Sequence, residues 1–406
     1  MTTSTHTTTR RRFLKSSCRL LATGVFSSSL SRRATAAAGE RTRVGIIGAT
    51  GRGDYGHEVD MAFTKVPELE IIAVADADPA GREAARLRTQ AAKSYADYRE
   101  MLEHEQLDIV AICTRWLDQH AEMIVAAAKA GCHVYMEKPF CRTLAECDTA
   151  IEALETNGRQ LAIAHISEYS PVLDTVRALI AGGEIGEVLE LRARGKEDQR
   201  GGAEDLWVLG SHVFGMMRTL AGGDALSCSA VVTANGHPIT RADVMDGAEG
   251  LGLLAGDHVQ ARYQFPGNVF GYFASRRNMA GRPSRFGIQV FGSKGVIQME
   301  SGYLVPAQLL RDSSWSPGRS GKSWEQVTSA GVGKPESRRD GNYEGGHVAA
   351  ITDLLASIRE DRPPRCSAHD GRAIVEMIAA VFESQRTSRP VQMPLATREN
   401  PLTLID

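Results

Sequence analysis

The stretch Arg43–Gly56, "RVGIIGATGRGDYG", decides how the chain is read. An apolar run, Val44–Ile47, ends on a cluster of glycines at 48, 51, 53 and 56. A strand feeding a glycine loop and then a helix is the opening of a dinucleotide-binding unit. Bare glycine backbone lets a pyrophosphate approach closely, and the helix start presents N–H groups to it. Gly48, Gly51 and Gly53 are therefore candidate cofactor contacts. The next apolar run, "ELEIIAVADAD" at 68–78, carries Asp76 at its end, 25 residues beyond Gly51. An acid at that place suits hydrogen bonds to the adenosine ribose hydroxyls. Its charge favours NAD over NADP, whose 2′-phosphate it would repel; Arg52 and Arg82 partly offset this.

Working outward, the same rhythm recurs. "LDIVAICT" (107–114), "CHVYMEKPF" (132–140) and "RQLAIAH" (159–165) are short, Val/Ile-rich and apolar on both faces. Such runs build a parallel sheet covered by helices. Helical stretches are expected at 81–92, 120–130 and 144–156, the last two closed by glycine. A doubly wound α/β Rossmann domain is predicted over 41–160. After residue 165 the pattern changes. In "DHVQARYQF" (257–265) apolar Val259, Ala261, Tyr263 and Phe265 alternate with polar neighbours, so one face is wet. "EVLELRARG" (187–195), "NVFGYFASR" and "FGIQVFGSKGVIQM" continue it, the last with a hairpin turn at 292–295. One helix, about 205–221, interrupts them. An α+β domain over 161–395, built on a large open, mainly antiparallel sheet, is the expectation. Residues 312–343 read as a long polar loop, and two helices with apolar stripes follow.

The 406 residues carry a formal charge of -2, with 42% apolar, 24% charged and 6% aromatic residues. No basic excess points to nucleic acid, and no apolar run reaches the ~18 residues of a membrane span. None of the seven cysteines has metal-ligand spacing, so no metal site is expected. The first 38 residues differ. "TRRRFLK" (9–15), a weakly apolar run at 20–26 and small residues at 34–38 read as a twin-arginine export signal with its cleavage site. That signal predicts a periplasmic protein, exported already folded.

Glu137-Lys138-Pro139 ends a predicted strand, at the sheet edge where ligands bind in this fold. A lysine there can bond a substrate hydroxyl and stabilise charge as hydride leaves. The run "HAEMIVAAAKAGCHVYMEKPF" (120–140) resembles the strongest motif of the glucose–fructose oxidoreductase/inositol dehydrogenase (Gfo/Idh/MocA) family. The glycine loop, "SPVLDTVRALIAGGEIGEV" (170–188), "GIQVFGSKGVIQM" (287–299) and "GGHVAAITDLLASIREDRPP" (345–364) resemble that family in order. The resemblance implies an NAD-dependent enzyme acting on a carbinol carbon of a sugar, cyclitol or glycoside. It makes Lys138 the catalytic lysine and puts Thr114, His120 and Glu137 on the cofactor side. It puts His165 and Tyr169 near substrate, with Trp207 as a candidate sugar-stacking face. It also implies pairing of copies through the exposed sheet face.

The family's second motif, Asp-x-Gly-x-His-x-x-Asp, is only half kept. Here it is Val208-Leu209-Gly210-Ser211-His212-Val213-Phe214-Gly215. His212, the acid/base position, remains; both aspartates are gone. Lys196, Glu197, Asp198, Glu204 and Asp205 are the nearby candidates to orient it. An exported enzyme has no NAD pool to draw on, which points to tightly held NAD and a redox-neutral cycle. An NAD-dependent glycoside hydrolase or lyase, working by oxidation and elimination, is the alternative. A silent sugar-binding protein is the remaining class.

Overall fold

The computed structural model describes residues 41–406. The export signal read at 1–38 lies outside the described residues. Six strands form a wholly parallel sheet: β1 (Thr42–Ile47), β2 (Leu69–Ala75), β3 (Lys93–Tyr95), β4 (Ile109–Ile112), β5 (His133–Met136) and β6 (Leu161–Ile163). Their order is β3-β2-β1-β4-β5-β6. This is the doubly wound order, and its switch point falls between β1 and β4. Every residue of β4 is buried, as a central strand covered on both faces requires. The covering helices start on side-chain caps. Asp78 accepts from Gly81 N–H at the head of Pro79–Thr89, and Thr143 from Glu146 N–H (3.1 Å) at the head of Leu144–Thr156.

The second half is an eleven-stranded sheet, antiparallel except where Val188–Arg194 runs parallel to Phe270–Arg276. Strand His258–Gln264 alternates buried and exposed along its length, so its period of two survives intact. Gly292 N–H bonds Gly295 O at 2.8 Å, making the expected tight turn between Gly287–Gly292 and Val296–Glu300.

Two expectations need correction. The single helix about 205–221 is two helices, Ala203–Val208 and Gly210–Ala221, broken at Leu209. The segment 312–343 is not a structureless loop. Its Glu325–Thr328 and Gly331–Val332 extend the large sheet by antiparallel pairing. Those strands are too short to show a period in the sequence.

Helix Ala368–Thr387 packs on Leu144–Thr156 of the first half and on Ser227–Ala234 of the second. Helix Tyr343–Glu360, capped by Asn342, touches helix Val59–Phe63 and the turn Ile166–Tyr169. These two helices bind the sheets into one unit. No described helix is long and apolar enough to cross a membrane.

Helix Gly210–Ala221 lies on the large sheet through Phe214, whose ring centroid is 4.9 Å from that of Phe273. Phe273 is 1% exposed. Truncating such a ring removes its transfer energy and leaves a cavity. Phe273→Ala is expected to cost about 3–5 kcal/mol, read as a lowered urea midpoint at unchanged slope.

Candidate active site

Lys138 leaves β5 at the carboxyl edge of the parallel sheet and is 8% exposed. Its Nζ donates to Val208 O at 3.0 Å. The break at Leu209 makes this possible. His212 N–H turns to Leu209 O (3.1 Å), so the Val208 carbonyl has no partner one helical turn on. Burial pushes the Lys138 ammonium below its usual range, opposed by Glu137 and Glu249. Two N–H groups remain for a ligand.

Lys138 and His212 line one cavity of about 80 Å³, together with His57, Ser167, Phe286, Ser301, Tyr343 and His347. The Ser167 and Ser301 hydroxyls are 3.0 Å apart on its wall. His212 Nδ1 has no partner among the described residues. Burial, then the Lys138 charge and His165, holds the imidazole well below its usual range, so it is a neutral acceptor. His165 backs it edge to face at 5.1 Å, with neither of its own nitrogens paired. A buried polar atom without a partner is costly, and such atoms mark where a ligand completes the network. The cavity holds roughly two or three waters at ~30 Å³ each.

Glu137 is 1% exposed and organises this end of the sheet. Its Oε1 accepts from His57 N–H at 3.0 Å and lies 2.7 Å from His57 Nδ1. Its Oε2 accepts from Lys138 N–H at 2.9 Å. Burial pushes the carboxyl up, but the hydrogen bond from His57 and the Lys138 charge outweigh it and hold Glu137 far below the usual range. Gly56 makes the approach possible, because a Cβ there would stand 2.6 Å from the Glu137 side chain. The spacing of the glycine loop carried this signal; His57 itself went unread.

Several assigned residues act as scaffold. His120 is wholly buried, with Nε2 2.9 Å from Thr114 O and Nδ1 3.0 Å from Pro139 O. It ties the end of β4 to the Glu-Lys-Pro turn. Thr114 Oγ1 donates to Arg52 O (2.9 Å) and accepts from Trp116 N–H (3.2 Å). Neither side chain, nor that of Glu137, lines the cavity of Lys138 and His212 or the cavity along the ends of β1 and β2. Trp207 is 2% exposed within the core, which removes it as a stacking face. Tyr169 is buried, its hydroxyl accepting from Cys366 N–H at 3.2 Å.

The proposed replacements for the aspartates are also engaged elsewhere. Asp205 accepts from Lys196 N–H, Glu197 N–H and Ser275, pinning a turn beside the large sheet. Glu197 and Asp198 hold arginines. Glu204 is half-buried, and burial raises its carboxyl. Glu168 fills the place beside Gly215: its Oε1 lies 2.8 Å from where a Cβ would stand.

A second cavity, of about 280 Å³, runs along the ends of β1 and β2 and is lined by Gly48, Thr50, Asp76, Asp78, Tyr98 and Met123, among others. Asp76 Oδ2 accepts from the Thr50 hydroxyl at 2.7 Å and from Thr50 N–H at 3.0 Å. The carboxylate thus already takes a hydroxyl donor, the kind of bond an adenosine ribose would make. The bare side of Gly48 is filled by Tyr55, whose ring would stand 2.2 Å from a Cβ. Gly53, at φ 89°, leaves no room for a Cβ against the Arg115 backbone. The helix after the loop is short and begins only at Val59. The loop itself closes on hydrogen bonds between Ala49 and Asp54.

The fold thus places Asp76 at the end of β2 and brings Lys138 and His212 together in one cavity beyond β5. Residues 42–165 match the model for the oxidoreductase family with an NAD-binding Rossmann fold, and residues 173–298 match the GFO/IDH/MocA C-terminal domain. The chain belongs to the Gfo/Idh/MocA family. An inositol 2-dehydrogenase of Salmonella typhimurium (strain LT2) is 35% identical over 132 residues, which span 32% of this chain and 39% of that protein. A levoglucosan dehydrogenase of Pseudarthrobacter phenanthrenivorans is 26% identical over 287 residues, 62% of this chain and 72% of the relative. In fold, the chain resembles a levoglucosan dehydrogenase solved with NADH and levoglucosan, at TM-score 0.70 and 21% identity over 88% of this chain and 100% of that one. It also resembles an aldose-aldose oxidoreductase from Caulobacter crescentus, at TM-score 0.67 and 19% identity over 87% and 100%.

Burial chiefly pushes His165 down to about 3 and His347 down to about 4, from an ordinary 6.5. Both stay neutral in the fold while the unfolded chain takes up protons below pH 6.5. Their contribution to stability is complete above that pH and is lost as pH falls through the folded values. His347→Asn is expected to flatten the fall in urea stability between pH 6.5 and 4, by up to ~1.4 kcal/mol per pH unit.

Proposed function

We propose that the protein is an NAD-dependent oxidoreductase acting on a carbinol carbon of a sugar, cyclitol or glycoside. The observation that carries this reading is the meeting of Lys138 and His212 in one cavity at the carboxyl edge of the NAD-binding sheet. NAD, when bound, supplies the hydride acceptor. Loop 48–53 would lie at its pyrophosphate and Asp76 at the adenosine ribose. In the site, Lys138 donates to the substrate oxygen and steadies its developing negative charge. Neutral His212 accepts the hydroxyl proton. His165 fixes one face of that imidazole. The relatives named for inositol and levoglucosan support a cyclic polyol as substrate.

The twin-arginine motif at 9–15 supports export of the folded protein and, with it, NAD held tightly through a redox-neutral cycle. In such a cycle, a ketone formed by oxidation acidifies the neighbouring C–H, a second step follows, and hydride returns. Glycoside cleavage by elimination is the variant of this cycle that releases an alcohol. Pairing of copies through the exposed face of the large sheet belongs to the same reading.

The protein purified without added cofactor is expected to release NAD on denaturation. Lys138→Ala and His212→Ala are each expected to retain that NAD and to lose about 10²–10⁴-fold in turnover. Turnover is read as reduction of bound cofactor on adding myo-inositol, levoglucosan or D-glucose. Undiminished turnover in both variants rules the reading out.

A further inference from the structure

Oxidation at the cavity consumes its first base. Once His212 holds the hydroxyl proton, its imidazole has no lone pair left for a second abstraction, and Lys138 is an ammonium donor. A redox-neutral cycle needs another acceptor on the same cavity, and one is present. The ring of His57 lines the wall with Lys138 and His212. Its Nδ1 faces a buried carboxylate oxygen 2.7 Å away, and that oxygen also takes its backbone N–H. An ionised carboxylate only accepts, so Nδ1 carries a proton, and in the neutral ring the lone pair is then on Nε2. Nε2 has no hydrogen-bond partner among the described residues. Tyr343 stacks on the ring at 5.0 Å and 25°, fixing its plane. A carboxylate holding one imidazole nitrogen so that the other faces a ligand is the arrangement of an oriented general base.

We propose that His57, oriented by Glu137, is a second acid/base group that removes the proton from the carbon next to the carbonyl of an oxidised substrate. The proposal rests on the redox-neutral reading above and names the group for its second step. The C–H bond breaks, the proton goes to His57 Nε2, and its electron pair enters the enolate, whose oxygen Lys138 faces. The proton, or a solvent deuteron exchanged for it on His57, returns to the same face before hydride comes back. Where a β-substituent is present, the enolate expels it and His57 protonates the leaving oxygen. Neither path changes the net oxidation state.

The experiment separates the two half-reactions in the full, cofactor-loaded protein. Myo-inositol, levoglucosan, D-glucose and methyl β-D-glucopyranoside are added in D2O. Absorbance of reduced nicotinamide reports oxidation. Mass spectrometry and NMR report deuterium at the carbon beside the oxidised one. The expected result is that the wild type shows both signals with at least one of these probes. In His57→Asn, which keeps an N–H toward Glu137, the deuterium wash-in per cofactor reduced is expected to fall ~100-fold or more, whatever loss the rate of cofactor reduction itself shows. His57→Gln is the second variant, should the first fold poorly. Cofactor reduction without wash-in in the wild type overturns the role of His57 and leaves the oxidoreductase reading standing. Equal loss of both signals in the variants makes His57 a structural pin and also overturns it. No reduction by any probe overturns the oxidoreductase reading and this proposal with it.

Discussion

The ionised Glu137 carboxylate, sealed beneath the glycine loop, is the constraint on which the site depends. Burying a charge is costly unless hydrogen bonds and opposite charge compensate. Here both oxygens are used, one by His57 through its backbone and its ring, the other by the Lys138 N–H. The three partners come from the loop after β1 and the turn after β5, so satisfying the charge fixes these two pieces of chain against each other. Gly56 is part of that constraint, since any side chain there would occupy the carboxylate's own space. His120 adds a further tie, its two ring nitrogens lying against the carbonyls of Thr114 and Pro139. The ends of β1, β4 and β5 are thereby held in one frame, and Lys138 is presented from it.

Under the proposed function a rigid frame matters, because hydride transfer and proton transfer both fall steeply with misplacement. Lys138 is held at its main chain by Glu137 and at its tip by Val208 O. The second contact crosses from the parallel-sheet half to the helix pair over the large sheet. Lys138 therefore senses the position of the second half directly. His212 follows one turn after the break that frees the Val208 carbonyl, so the same irregularity at Leu209 places both groups. Imidazoles at 165, 212 and 347, kept neutral by burial, surround this ammonium without adding charge to it. A neutral polyol presents donors and acceptors that match such a wall.

The parallel half was legible because its physics is local. Strands buried on both faces read as unbroken apolar runs, and Leu144–Thr156 has its bounds in the sequence because Thr143 caps its start and Asn157-Gly158 close it. The large sheet was legible where strands ran long enough to alternate, as in 258–264. It was not legible at 325–332, where pairing with an existing edge rather than a pattern makes the strand. Lys138 and His212 were readable as a pair only through resemblance, since 74 residues separate them in the chain. His57 was not readable at all. Its significance comes from a carboxylate 80 residues away, and nothing in "GDYGHE" announces that partner.

The lost aspartates show why residue pattern and site chemistry part company. An aspartate at 208 would offer a side-chain acceptor; the Val208 main chain offers a carbonyl, which any residue carries. The substitution to valine is therefore invisible to the acceptor requirement, provided the helix breaks one residue later. At 215 the side chain is absent, and Glu168 from the turn after β6 enters the vacated space, with Thr219 donating to its other oxygen at 2.6 Å. Burial raises the Glu168 carboxyl, while Thr219 and nearby arginines oppose it. A carboxyl group is thus retained beside the helix but delivered from a different element. At this site the acceptor for Lys138 is a main-chain carbonyl and the carboxyl beside the helix comes from another element, so neither is visible in a motif stated in residue types.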